Sequence, residues 1–108
     1  MTEFATQATT EGAVHLILDG PMTIYNAIDV KSRLMEGLHR AEILELDLSH
    51  VEEMDSAGFQ LLVMAKRESQ RLGHAMRIVA HSQTVRDVIE FYNMEGFFGD
   101  PIVIPANA

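Results

Sequence analysis

Asp55, Ser56, Ala57 and Gly58 bring a carboxylate, a hydroxyl and two small residues together immediately before a long apolar-periodic segment. Asp and Ser start helices because their side-chain oxygens accept hydrogen bonds from unpaired first-turn amides. The same first turn suits a phosphoryl group, since its free amides and the helix dipole favour a dianion. Phosphorylation would add roughly −1.5 to −2 charges there and repel a partner docked over Ser56, Phe59 and Val63. Two functions are therefore open to Ser56: a helix cap, or the phosphoacceptor of a binding switch.

Other chemistry finds less support. Asp55 and Ser56 are neighbours, which is a poor arrangement for a base to activate a nucleophile. His15, His39, His50, His74 and His81 are scattered, with no pair three or four apart on a helix, so no metal site is expected. His74 and His81 read as solvated residues flanking a strand. Gly58 stands alone and no Gly-Lys-Ser/Thr occurs, so no nucleotide cofactor is expected. Glu52-Glu53 reads as a solvated acidic connection.

The elements that would position the Asp55–Gly58 turn follow from periodicity. Phe4 to Thr9 alternates weakly, as a short edge strand or a frayed tail. Glu11-Gly12 is a turn, and Ala13 to Leu18 is a strand with Val14, Leu16 and Leu18 on one face. Asp19-Gly20-Pro21 ends it. Thr23 is the candidate cap of a helix over Ile24 to Arg40, whose apolar stripe is Ile24, Ala27, Ile28, Leu34, Met35 and Leu38, with Lys31 inside it. Ile43 to Leu48 is a buried strand. The helix over Ser56 to Leu72 places Gly58, Leu61, Leu62, Ala65, Ser69 and Leu72 on one side and stops at Gly73. Phe59 and Val63 flank that stripe and Met64 lies beyond it, so either this helix is covered on more than one side or part of it meets a partner. Ala75 to Ala80 is a strand, Ser82 caps a helix over Gln83 to Tyr92, Asn93 to Gly99 is a loop, and Ile102 to Ile104 is a last edge strand. The order implies an α/β fold: a small mixed β-sheet with an N-terminal hairpin and helices packed on it.

Composition bounds the function. The 108 residues suffice for a single domain. The net charge of −8 disfavours nucleic acid and anionic membrane as partners and suits a more basic protein surface. Without cysteine there is no disulfide framework and no thiolate chemistry. No apolar run approaches a membrane span, and the polar N-terminus is not a secretory signal, so the expected location is cytoplasmic.

Leu46-Asp47-Leu48-Ser49, Val51 and Met54-Asp55-Ser56-Ala57-Gly58 together resemble the signature of the STAS domain, the family that includes the anti-sigma factor antagonists. The resemblance continues through Leu61-Leu62, Arg77-Ile78-Val79 and Val85-Val88-Ile89 and covers nearly the whole chain. It implies a non-enzymatic adaptor that binds an anti-sigma or serine-kinase-type partner, is phosphorylated at Ser56, and is reset by a phosphatase. Asp55, Ala57 and Gly58 would shape the switch turn. Thr23 would face it, in a segment (Gly20-Pro21-Met22-Thr23) where sigma-pathway members often carry an acid. Phe59, Val63 and Met64 are the expected partner-binding residues. The alternative is a constitutive STAS subunit of a transporter or chemotaxis-like assembly, with Ser56 only a cap. An enzyme ranks last, because no convergent catalytic set is visible. An acidic domain with spare apolar helix surface can also form a homodimer.

Overall fold

Residues 5–8 and 12–98 are described by a computed structural model. The expected strand at Ile102 to Ile104 lies outside them. Strands β1 (Ala5–Ala8), β2 (Ala13–Asp19), β3 (Ile43–His50) and β4 (Ala75–His81) form one sheet in the order β1-β2-β3-β4. The β1–β2 pair is antiparallel, as expected of a hairpin, and β2, β3 and β4 run parallel.

Alternation along each strand separates two faces. Val14, Leu16 and Leu18 on β2, Leu44, Leu46 and Leu48 on β3, and Met76 and Ile78 on β4 are buried together. The register sets Leu16 beside Leu46 and Leu46 beside Ile78, so these side chains form rows across the sheet. The crossovers between the parallel strands are the helices α1 (Ala27–Arg40) and α2 (Ser56–Leu72), whose buried residues share one core with this apolar face. The other face is mixed: it carries Val79, and His15 lies 3.6 Å from Glu45 on the neighbouring strand.

The α2 boundaries are those read from the sequence. Gly73 ends the helix in the left-handed region at φ 74°, where its amide reaches back to Gln70 and Ser69. Phe59 and Val63 are core residues, 3% and 7% exposed. The Phe59 ring stacks on Tyr92 with centroids 4.3 Å apart, and Phe98 meets it edge-on at 6.3 Å. The helix is thus covered on a second side, by α3 (Gln83–Phe91) and α4 (Glu95–Phe98). The α4 turn replaces the loop expected from Asn93 onward; burial of Phe98 orders it.

The first helix departs most from expectation. Ile24–Asn26 forms a separate 3₁₀ turn before α1. The buried residues of α1 are Val30, Leu34, Gly37 and Leu38, spaced four, three and one apart. Ile28 lies two residues from Val30, about 200° around the helix, and points outward. Ile24 and Ile28 are accordingly 62% and 87% exposed rather than part of the core stripe. Lys31 is also exposed, outside the buried stripe. His74 is half-buried rather than solvated, with Nδ1 2.8 Å from the Leu38 carbonyl oxygen.

Candidate functional site

Two chain segments meet at the C-terminal end of the parallel strands. Met22 and Met54 form a parallel bridge between the segments that follow β2 and β3. The Met22 amide donates to the Glu53 carbonyl at 2.9 Å, and the Asp55 amide donates to the Met22 carbonyl at 3.2 Å. Met22 is fully buried. The connection after β2 is therefore fixed against the start of α2 before any side chain of the turn is considered.

Asp55 completes the junction. Its Oδ1 accepts from the Gly58 amide at 3.0 Å, the N-cap bond of α2. Its Oδ2 accepts from the Ile24 amide, also at 3.0 Å, across 31 residues of sequence. The Ile24 amide, then the Gly58 amide, hold this carboxyl below its ordinary range by bonding to the ionised form. Gly58 is required by close approach: a Cβ there would sit 2.0 Å from the Met22 carbonyl oxygen.

Thr23 is buried and starts the 3₁₀ turn. Its hydroxyl accepts from the Tyr25 amide at 3.3 Å, and its own amide donates to Asn26 Oδ1 at 2.8 Å. The Asn26 side-chain amide donates to the Pro21 carbonyl. This reciprocal capping box sets the direction in which Ile24 and Tyr25 leave the sheet.

Ser56 is exposed as the first residue of α2, with Ala57 half-buried beside it. The structure thus gathers Thr23, Asp55, Ser56, Ala57 and Gly58 into one junction. It does not place Phe59 and Val63 on a docking surface; both are packed inside, and Met64 is half-buried. Ile24, Tyr25 and Ile28 are exposed apolar residues of the 3₁₀ turn and the start of α1, Tyr25 being 95% exposed. Their outward direction follows from the 3₁₀ turn and from counting back from Val30, a signal the apolar pattern alone obscured.

A second cluster lies at the end of β3. The Ser49 hydroxyl donates to Asp47 Oδ1 at 2.5 Å and lies 3.3 Å from His50 Nδ1. Burial opposes ionisation of Asp47, but the Ser49 hydrogen bonds, with His50 and His15 nearby, outweigh it and lower its pKa. The serine gives its proton to the carboxylate rather than to the imidazole, so the cluster closes the strand end and lacks an activated nucleophile. Among the described residues no group of three His, Cys, Asp or Glu side chains could hold a metal ion.

A mixed sheet with helices packed on its apolar face, and a capped Asp-Ser-x-Gly turn opening the second long helix, define a class of small α/β domain. The chain belongs to the STAS family: the family model described as "Mlab, STAS domain" matches residues 5–104. Among solved structures, an anti-sigma factor antagonist from Mycobacterium paratuberculosis is similar, with a TM-score of 0.79 at 17% identity over 92% of this chain and 84% of that one. The Bacillus cell fate determinant SpoIIAA in its phosphorylated form aligns with a TM-score of 0.66 at 18% identity, over 85% of both chains. SLC26A9 shares the fold with a TM-score of 0.70 at 15% identity; the match covers 86% of this chain and 18% of SLC26A9. No curated protein matches the chain. Among the described residues, no helix is long and apolar enough to cross a membrane.

Proposed function

We propose that this protein is a non-enzymatic STAS interaction switch, a single cytoplasmic domain whose binding to a protein partner is controlled by phosphorylation of Ser56. One observation carries the reading: Asp55, not Ser56, caps α2, while Ser56 stands exposed at the first helical position. The hydroxyl is thus not needed to satisfy the Gly58 amide. A kinase partner would transfer the γ-phosphoryl group of ATP to Ser56 Oγ, with loss of the hydroxyl proton and release of ADP. A phosphatase would return the hydroxyl by hydrolysis. The dianion would sit on the first-turn amides, where the helix dipole favours it, beside the fixed Asp55 carboxylate. The domain would stay folded while its surface became hostile to an apolar or acidic contact. Similarity to anti-sigma factor antagonists supports a partner of anti-sigma or serine-kinase type.

The second reading is a constitutive subunit. It is favoured by the likeness to SLC26A9, where the matched fold is a small part of a longer chain. The two readings separate on Ser56 variants. A switch predicts that Ser56→Ala binds the partner and changes stability by less than about 0.5 kcal/mol, while Ser56→Asp folds and loses the partner. Binding by both variants, measured by co-purification from native cells and by calorimetry with the purified partner, would establish the constitutive subunit instead.

A further inference from the structure

We propose that the outer face of the sheet is a two-fold contact with a second copy of this chain, held by Arg77 of each copy against Glu45 and Asp47 of the other. Parallel strands are ordinarily covered on both faces, because their crossovers place helices there. Here β2, β3 and β4 run parallel, yet the buried apolar side chains of α1, α2, α3 and α4 all belong to the one core on the inner face. Among the described residues, no helix covers the outer face. That face is not built for water alone. Ile17 and Ile43 are half-buried and Val79 is exposed, and none of the three packs against the core.

The register of the charges names the occupant. His15, Glu45 and Arg77 stand side by side on β2, β3 and β4, and Asp47 follows Glu45 by two residues, on the same face. Glu45 lies 3.6 Å from His15. Arg77 is exposed, and among the described residues it makes no ion pair. Stacked sheets lie about 10 Å apart with their strands nearly aligned, a gap that an Arg and a Glu side chain span together. A two-fold axis along the strands, between β3 and β4, lays β3 of each copy over β4 of the other. Arg77 then meets the Glu45 and Asp47 of the second copy, and the axis repeats the contact. Ile43 and Val79 of both copies come to lie between the sheets. The chain carries −8 overall, so most of its surface repels a second copy. On this face an arginine and a histidine stand among two carboxylates, which offsets that repulsion. Anionic lipid or nucleic acid would instead meet Glu45 and Asp47. The overlap spans two strands per copy, a small interface, so the association is weak and depends on concentration. It does not involve Ser56 and stands independently of the switch.

Analytical ultracentrifugation of the full chain at rising concentration, with charge-reversed variants, tests this. Wild type should pass from monomer to dimer. Arg77→Glu and Glu45→Arg each set like charges against one another at both repeats of the contact. Each should raise the dissociation constant at least about tenfold. An equimolar mixture of the two variants should dimerise again, because every contact then pairs opposite charges across the axis. An effect confined to one copy gives no such rescue. Thermal melting confirms that the variants fold; where a reversal lowers it, Arg77→Gln and Glu45→Gln should still weaken the dimer. Ser56→Asp should leave self-association unchanged. Monomer at every concentration, a dimer that survives both reversals, a mixture that stays monomeric, or a dimer lost with Ser56→Asp would overturn the proposal.

Discussion

The two carboxylate oxygens of Asp55 serve different parts of the chain: one caps α2, the other holds the start of the 3₁₀ turn. That a side chain caps this helix was legible in the sequence, which left Asp55 and Ser56 both open; the bond to Gly58 assigns the role to Asp55. The bond to Ile24 was not legible, since it depends on how two connections meet at the sheet end. Both bonds favour the ionised form, so the pKa of Asp55 is lower in the folded chain than in the unfolded one. Asp47 is shifted in the same direction. Their stabilisation is therefore complete above the ordinary carboxylate value of about 4, and is lost as pH falls through the lowered native values. Acid titration of wild type followed by circular dichroism should show this loss, and Asp55→Asn should flatten it. Gly58 offers a sharper local test. A methyl group there collides with the Met22 carbonyl, a backbone atom that cannot rotate away. Gly58→Ala should cost at least about 3 kcal/mol in chemical denaturation. A change below about 0.5 kcal/mol, the range of ordinary surface substitutions, would contradict the close approach.

At the scale of elements, α2 was readable from end to end because its cap, its stripe and its terminal glycine agree. The first helix was not, because a 3₁₀ turn ahead of α1 breaks the phase on which a stripe from Ile24 to Leu38 depends. The flank of α2 was open to two interpretations: cover from the fold or cover from a partner. Tyr92 and Phe98 decide for the fold by packing on Phe59. Phe59→Ala should accordingly unfold more easily by about 3–5 kcal/mol, seen as a lowered denaturation midpoint in the isolated protein. An unchanged midpoint would mean that Phe59 is not part of the core. With Phe59 and Val63 buried, the exposed large apolar residues of the neighbouring 3₁₀ turn and α1 are Ile24, Tyr25 and Ile28.

For the whole molecule, the parallel order β2-β3-β4 brings the connections after β2 and β3 to the same sheet end, and this joins Met22 to Met54 and Ile24 to Asp55. That the chain is a STAS domain was legible from residues 46–58 in their context, and the family match extends over residues 5–104. The partner was not legible, because partner identity lies in surface shape and charge rather than in the motif. With a net charge of −8, the protein suits a basic counterpart. A covalent phosphate is the most direct sign of how such a contact would be controlled. The decisive measurement is intact-mass spectrometry of the protein purified from its own cells, with the modified peptide mapped. A switch at Ser56 predicts a fraction of chains carrying one phosphoryl group, located on Ser56. Unmodified Ser56 under every growth condition, with the partner still bound to Ser56→Asp, would contradict it.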